Sequence, residues 1–276
     1  MPELPEVETI KRQLADELVG LEIKGVVCKD ERLLQPDTQT VGRAVVEAVF
    51  KDVDRTAKLL IFTLAKEGET FYLLCHLRMS GRLFFRNQSD PEDDYVGVTI
   101  KLSQGKELRF ASARKFGYIR LADEQEMQET LKKYGPEPLD DLTFEKFKNI
   151  LADTRAMVKT VLMDQKRIAG VGNIYANDAL FLAEINPETP ANKLSAGEKE
   201  TLYNALEQVL KEGLDTEGAS DQWYRNAYGG KGSYQEHFKV YGKAGESCPE
   251  CGGTIKRIKV GGRGTFICPN CQKKST

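Results

Sequence analysis

The chain begins MPELPE, which puts a proline and two carboxylic acids where they could do chemistry. Removal of Met1, which a small second residue permits, would leave Pro2 with a free secondary amine. An α-amino group has a pKa of about 8, against about 10.4 for lysine, so far more of it is neutral near pH 7. Such an amine can attack a sugar carbon to give a cationic iminium, and Glu3 beside it could transfer protons.

A structural interpretation explains part of the same stretch. Pro5 suits the first turn of a helix, and Glu6 favours the positive end of that helix. The predicted helix has an apolar stripe formed by Val7, Ile10, Leu14 and Leu18. Pro2 and Glu3 lie outside this explanation.

Four of the six cysteines form two CxxC pairs separated by sixteen residues: Cys248, Cys251, Cys268 and Cys271. This spacing is typical of a tetrahedral four-thiolate zinc site, in which no position is open to water. We therefore expect one structural Zn²⁺. Two disulfides are the alternative, but they suit a secreted protein. Cys28 and Cys75 lie in apolar runs and are interpreted as core thiols.

Composition limits the class of protein. With 276 residues, of which 40% are hydrophobic and 30% charged, the chain can form two domains with proper cores. It has neither an apolar run of about 20 residues nor a basic, apolar leader, so we expect a cytoplasmic protein without a membrane partner. The net charge is −2, yet residues 237–276 carry +6 and the remainder −8. The basic end is a solvated surface or binds a polyanion.

The remaining motifs favour phosphate contacts. Only His76 and His237 are available, which nearly excludes histidine triads and multi-histidine metal sites. AGVGNIY lacks the third glycine of a dinucleotide motif, so it is a tight turn between helices or a loop that binds phosphate with Asn173. VGGRGT predicts a hairpin tip at which Arg263 is a surface arginine or contacts phosphate, and the basic surroundings favour the contact.

Hydrophobic periodicity predicts an α+β fold. Strand-like runs suggest a β-sandwich or barrel that follows the first helix: 21–29, 44–50, 58–65, 70–78, 95–102, 106–112 and 117–122. After a turn-rich linker the period becomes helical, over 142–152, 156–165, 173–185 and 195–213. A Gly-rich segment, 217–233, is expected to be a mobile loop.

Together these residues are similar to the formamidopyrimidine-DNA glycosylases, the oxidised-purine branch of the helix-two-turn-helix DNA repair family. The similarity covers nearly the whole chain. The motifs that carry it are PELPEVET, AKLL, HLRMSGR, RKFG, GPEPL, MDQKRIAGVGNIYAND, VYGK and the terminal cysteines with GRGT. The resemblance implies three parts: a catalytic β-sandwich domain at 1–131, a helix-two-turn-helix domain at 132–232 and a zinc-finger hairpin at 233–276.

The resemblance also implies roles for individual residues. Pro2 would be the nucleophile, Glu3 the general acid/base, Glu6 a supporting carboxylate, and Lys58 a contact to the DNA backbone at the lesion. The expected DNA-binding residues are His76, Met79, Arg114, Phe116, Lys159, Asn173, Tyr241 and Arg263. Met79, Arg114 and Phe116 match the wedge that fills the gap left by an everted base. Singly, each has an ordinary interpretation as a core or surface residue.

The implied function is that of a monomeric, bifunctional glycosylase and AP lyase of the bacterial nucleoid. It would excise oxidised purines, namely 8-oxoguanine and formamidopyrimidines, from double-stranded DNA through a Pro2 Schiff base followed by β- and δ-elimination. One alternative is an endonuclease VIII-like enzyme for oxidised pyrimidines. Another is a catalytically idle protein that binds lesions.

The chain departs from the family's usual pattern at four places. PEDDYVGV replaces a His-containing segment, and Ser112 stands where aspartate is common. Asp178 replaces the usual glutamate after GNIYAN. The stretch 215–232 is only loosely similar to the loop that covers the lesion, so base preference is the least determined property.

Overall fold

The computed structural model describes residues 1–273, so Lys274 of the basic C-terminal run lies outside the described residues. Two compact units form: residues 1–132 with 216–235, and residues 133–215 with the chain from 236 onward. This division differs from the boundary expected at 232. The difference arises because the backbone of 216–235 hydrogen-bonds and packs within the first unit.

The elements follow one another as helix, sandwich, helices and hairpin. The helices are α1 (Leu4–Leu18), α2 (Thr38–Val45), α3 (Glu124–Leu131), α4 (Phe144–Ala152), α5 (Val158–Leu162), α6 (Asn173–Leu182) and α7 (Ala196–Asp215). The strands are β1 (Ile23–Cys28), β2 (Leu34–Gln35), β3 (Val49–Thr56), β4 (Leu59–Lys66), β5 (Glu69–His76), β6 (Gly81–Asn87), β7 (Val96–Leu102), β8 (Lys106–Ser112), β9 (Tyr118–Ala122), β10 (Lys256–Val260) and β11 (Arg263–Ile267).

The first unit is a β-sandwich with α1 packed against it. One sheet has the order β1-β7-β8-β6 and the other β2-β9-β5-β4-β3, and only the β2-β9 pair is parallel. Both sheets and the apolar stripe of α1 contribute to one buried cluster. The β-sandwich expectation is thereby confirmed, because alternating strands bury one face and leave the other exposed.

Two local predictions in this unit were wrong. The run 44–50 was expected to be a strand, but Thr38–Val45 forms α2, started by the Asp37 carboxylate, which accepts the Thr40 N–H at 2.8 Å. The strand begins only at Val49. β6 was missed because its pattern, GRLFFRN, is not an alternating one.

The second unit contains α4 to α7 and the β10-β11 hairpin. Helix α6 is buried on nearly all sides, as expected for the central helix of a bundle. The capping box predicted at the start of α7 is confirmed: Ser195 N–H donates to Glu198 Oε2 at 2.7 Å, and Glu198 N–H to Ser195 Oγ at 3.2 Å. None of the helices within residues 1–273 is long and apolar enough to cross a bilayer.

Candidate active site and nucleic-acid interface

The start of α1 holds Pro2, Glu3 and Glu6 in a buried arrangement. Pro2 is buried, and the Glu3 and Glu6 side chains are only 2% and 1% exposed. Glu3 is the N-cap and forms a reciprocal capping box with Glu6, whose Oε2 accepts the Glu3 N–H at 2.6 Å. The backbone around the expected nucleophile is therefore fixed by two carboxylates that also serve the positive end of the helix.

Lys58 occupies a two-residue turn between β3 and β4, next to Ala57. Arg55 stabilises this turn: its Nη1 donates to the Ala57 carbonyl at 2.8 Å, and its Nε donates to Glu8 Oε2 at 2.9 Å. Burial alone would raise the pKa of Glu8, but hydrogen bonds from Arg55 and Arg12 outweigh it and hold that pKa below its usual value. A charged Glu8 thus ties α1 to the turn that carries Lys58, which is only 6% exposed.

His76 ends β5 as a neutral imidazole. Burial, together with the positive charges of Arg78 and Lys58, lowers the pKa of His76 to about 3. Its Nδ1 accepts the backbone N–H of Arg78 at 3.1 Å, so the proton of the neutral ring resides on Nε2. His76 is therefore a fixed N–H donor at neutral pH, which suits a hydrogen bond to a phosphate oxygen.

Two neighbouring loops present the expected wedge. Met79 is 38% exposed and Phe116 59%, an unusual exposure for large apolar side chains. The Arg114 guanidinium lies 5.2 Å from the centre of the Phe116 ring. Ser80 Oγ accepts the Arg114 N–H at 2.8 Å, which joins the two loops. The sequence-predicted trio is thus brought together on one side of the first unit.

Three of the residues in these loops and in the Lys58 turn have a left-handed backbone conformation. Ala57, Arg78 and Lys115 have φ of 54°, 54° and 56°, a left-handed conformation that costs a residue with a Cβ about 1–2 kcal/mol. Each lies directly beside an expected site residue: Lys58, Met79, or the Arg114 and Phe116 pair. Functional side chains are often held in position by strained, well-packed turns.

The run 217–233 was expected to be a mobile loop, but the segment 216–235 that contains it packs within the first unit. The Ala219 N–H donates to Glu6 Oε1 at 2.8 Å, and the Ala227 N–H donates to Gln13 Oε1 at 2.9 Å. Tyr224 and Ala227 are buried in the sandwich core. Sequence reasoning missed these anchors because they join residues more than 200 positions apart, and a Gly-rich composition hides such contacts.

In the second unit, Lys159 does not lie on the surface. It is 1% exposed, and its Nζ donates to Thr265 Oγ1 at 2.6 Å and to the Gly264 carbonyl at 3.2 Å. The expectation of a direct DNA contact by Lys159 is corrected accordingly: the ammonium holds the β10-β11 hairpin against α5. Asn173 assists, with Nδ2 3.1 Å from the same Gly264 carbonyl.

The unusual Asp178 is a structural residue. It is fully buried, and its Oδ1 accepts the backbone N–H groups of Val240 and Tyr241 at 3.0 and 3.1 Å. The ring of Tyr241, a half-buried residue, packs edge-on against Phe238 and Phe266. The shorter acid in place of glutamate therefore fixes the segment that carries Tyr241.

Arg263 begins β11 beside a two-residue turn. Gly261 and Gly262 both have positive φ, 55° and 78°, as a tight hairpin of this kind requires. Arg263 is exposed at the tip. The hairpin thus presents a guanidinium to solvent, as the sequence predicted.

The sulfur atoms of the four expected cysteine ligands lie close together. Their sulfurs lie within 4.8 Å of one another, with Cys248 and Cys271 3.8 Å apart and Cys251 and Cys268 3.5 Å apart. A tetrahedral zinc with bonds of about 2.3 Å separates its sulfurs by about 3.8 Å, so the cluster fits Zn²⁺. Cys248 and Cys268 also pack on Phe181 of α6, which attaches the metal module to the helices.

Models of known protein families match most of the chain. Three family models match: the formamidopyrimidine-DNA glycosylase N-terminal domain over residues 1–119, the H2TH domain of the same enzymes over 134–224, and a zinc finger found in FPG and IleRS over 245–274.

Individual relatives match at full length. The formamidopyrimidine-DNA glycosylases of Desulfitobacterium hafniense and Chloroflexus aurantiacus are 41% and 42% identical to the chain, covering 99% of it and 100% and 98% of themselves. A Lactococcus lactis Fpg complex with abasic-site DNA superposes with a TM-score of 0.91 at 33% identity, over 99% of this chain and 100% of that one. The chain belongs to the formamidopyrimidine-DNA glycosylase family, whose enzymes combine glycosylase and AP lyase activity.

Proposed function

We propose that this DNA repair glycosylase removes oxidised purines, with the Pro2 amine as nucleophile and Glu3 as its proton-transfer partner. The observation that supports this most is the pair of buried carboxylates, Glu3 and Glu6, directly after Pro2 at the start of α1. A capping box accounts for their backbone contacts. Two carboxylic acids beside a terminal amine also supply the nucleophile and the proton carrier that base excision needs.

The proposed reaction proceeds at C1′ of the damaged nucleotide. The neutral Pro2 nitrogen bonds to C1′ as the bond between C1′ and the base breaks and the base takes up a proton. The Pro2 nitrogen then loses its own proton, and the C1′–O4′ bond breaks with protonation of O4′, which leaves an iminium ion between Pro2 and C1′. That cation acidifies the neighbouring sugar carbon, so loss of its proton expels the 3′-phosphate by β-elimination, and a second elimination expels the 5′-phosphate. Because Glu3 is shielded from water, it is suited to accept a proton in one step and to donate it in another.

The remaining site residues support binding and base eversion. Lys58 and the Nε2–H of His76 bind phosphates near the lesion. Met79, Arg114 and Phe116 occupy the gap in the duplex and offset part of the few kcal/mol that eversion costs. In the second unit, Asn173, Tyr241 and Arg263 bind backbone phosphates. The proposed location is the bacterial nucleoid, where the DNA substrate is found.

A trapping experiment tests the nucleophile. Borohydride added during reaction with an 8-oxoguanine duplex should reduce the iminium and leave protein covalently attached to DNA. Peptide mass mapping should place the adduct on Pro2 of a chain that has lost Met1. An adduct on Lys58 would overturn the assignment.

The lesion preference needs a separate measurement. A Lactococcus lactis Fpg was solved with DNA that contains an oxidised pyrimidine, with a TM-score of 0.90 to this chain, so oxidised pyrimidines belong in the comparison. Single-turnover rates on matched duplexes that differ only in the lesion should favour 8-oxoguanine. Faster excision of the oxidised pyrimidine would move the protein to the endonuclease VIII-like alternative.

A further inference from the structure

A cavity separate from the site described above lies in the first unit, where β6 meets the segment 216–235. It has a volume of about 300 Å³. Its polar lining consists mainly of three arginines and the acidic residues before β7: Arg82, Arg86, Arg225, Glu92, Asp93 and Asp94. None of these residues belongs to the site described above.

One of the three arginines, Arg86, is paired with a carboxylate. Arg86 Nη2 and Nε contact the Asp93 carboxylate at 2.9 and 3.2 Å, and Asp93 also accepts from Arg109 at 3.3 Å. At the rim, Glu92 pairs with Lys29. These contacts account for two of the three acids, so only the exposed Asp94 remains as a nearby counter-charge.

Arg82 and Arg225 have no such partner. Arg82 donates only from Nη2 to the Asp94 carbonyl at 2.9 Å, and Arg225 only from Nη1 to the Tyr224 carbonyl at 2.6 Å. Among residues 1–273, no carboxylate lies within 4.0 Å of either guanidinium. The Nε of Arg82 is buried without a hydrogen-bond partner. Leaving a buried donor of a charged group unmet costs free energy, which a bound acceptor would recover.

The surroundings keep these two groups in place. Burial, together with the nearby charge of Arg225, lowers the pKa of Arg82. Arg82 is oriented by the rings of Phe84 and Tyr95, 5.4 and 5.9 Å from its guanidinium carbon. Two preorganised guanidinium forks that share one cavity match the oxygens of a phosphate group.

We propose that Arg82 and Arg225 form an anion site that binds a phosphate group. The phosphate is either one of the DNA backbone or a free one, such as inorganic phosphate. The site does not depend on the proposed roles of Pro2 and Glu3, so its failure and theirs are distinguishable.

The sequence offers a built-in reporter for this site. Trp223 is the only tryptophan and lies two residues before Arg225. Its ring packs edge-on against Tyr95, with ring centres 6.1 Å apart, and Tyr95 in turn contacts Arg82. Occupation of the cavity should therefore change tryptophan emission.

The test titrates full-length protein with inorganic phosphate and, separately, with a lesion-free duplex, at constant ionic strength. Wild-type emission should change and saturate with at least one of the two. Arg225→Gln and Arg82→Gln should weaken that response at least tenfold, and Arg225→Lys should restore part of it. Arg43→Gln, which removes an exposed arginine of α2 that does not line this cavity, is the control and should leave the response unchanged.

The two sources give different results. If the ligand is a DNA phosphate, Arg225→Gln should lower the slope of log affinity against log salt for duplex binding by about the value of one phosphate contact. If the ligand is a free phosphate, inorganic phosphate should saturate the emission change and that slope should stay as in wild type. Emission that responds to neither probe, or that responds equally in Arg225→Gln and Arg43→Gln, would overturn the proposal. Unliganded emission and melting temperature of each variant show that it is folded.

Discussion

At the scale of single residues, the chemistry rests on side chains that also perform structural tasks. Glu6 is the clearest case, since one oxygen caps the Glu3 N–H and the other holds the Ala219 N–H. Glu3 likewise accepts the backbone N–H of Glu6. Substitutions here must preserve hydrogen-bond acceptors if chemistry is to be separated from folding.

Glu3→Gln meets that condition, because the amide oxygen can still cap the helix while the acid is lost. We expect base excision to fall by about a hundredfold or more, the range typical of a general acid/base, with cleavage of a preformed abasic site less affected. Single-turnover assays on 8-oxoguanine and abasic duplexes measure both. Equal losses in the two assays would contradict the proposed role of Glu3.

His76 should make the fold sensitive to acid. Its folded pKa of about 3 is below the unfolded value of about 6.5, so the unfolded chain binds more protons between these values. Stability from the neutral ring is therefore complete above pH 6.5 and is lost as pH falls, by at most about 1.4 kcal/mol per unit.

Urea unfolding from pH 7 to pH 4 measures this effect. His76→Gln keeps an N–H donor but cannot titrate, so the wild type should lose stability relative to it on acidification. His237→Gln, which changes the other, exposed histidine, should behave like wild type. Parallel curves for wild type and His76→Gln would show that His76 is not buried in its neutral form.

At the scale of elements, each functional loop is fixed by a neighbour that is distant in sequence. Arg55 links the Lys58 turn to α1, Ser80 links the two wedge loops, and Lys159 links the zinc hairpin to α5. The segment 216–235 is fixed in the same way through Glu6 and Gln13. Such links explain how loops can hold strained backbones.

Gly218 tests the anchoring of 216–235. Its φ is 85°, and an added Cβ would lie 2.6 Å from Glu6 Cγ. Gly218→Ala should lower the free energy of unfolding by about 2–4 kcal/mol, from left-handed strain plus overpacking. Gly68→Ala has a similar φ of 89° but nothing within 4 Å, so it should cost only the strain, about 1–2 kcal/mol. If chemical denaturation showed equal losses of unfolding free energy for the two variants, the contact with Glu6 would not contribute to the cost of Gly218→Ala.

Zinc should hold the hairpin that presents Arg263. Cys268→Ser, or chelation, should remove hydrogen-exchange protection from β10 and β11 and weaken DNA binding, because metal binding supplies the folding energy of such a module. Protection in β3 to β5 of the first unit should persist. Cys28→Ser, which removes a half-buried thiol outside the cluster, is the control. Full protection of the hairpin in metal-free protein would refute the structural role of zinc.

At the scale of the whole molecule, a net charge of −2 conceals a basic C-terminal region on an otherwise acidic chain. Binding to DNA must therefore depend on a few well-placed cations rather than on overall attraction. In the second unit, Arg263 is the exposed member of that region at the hairpin tip.

Arg263→Ala should weaken duplex binding and reduce the slope of log affinity against log salt by about 0.9, the value of one phosphate contact. Lys211→Ala on α7 makes the same change of charge but removes a side chain paired with Glu207, so its slope should stay as in wild type. Binding isotherms at several salt concentrations measure both. An unchanged slope for Arg263→Ala would place that residue outside the interface.

The sequence by itself determined the features that local spacing encodes: the first helix, most strands, the capping box at Ser195 and the cysteine cluster. Tertiary structure alone decided burial and long-range pairing. It buried Lys159 against Thr265 and folded 216–235 onto Glu6. The physical reason is that helix and metal signals repeat within a few residues, whereas these contacts join positions about 100 to 200 residues apart and arise only when the chain packs.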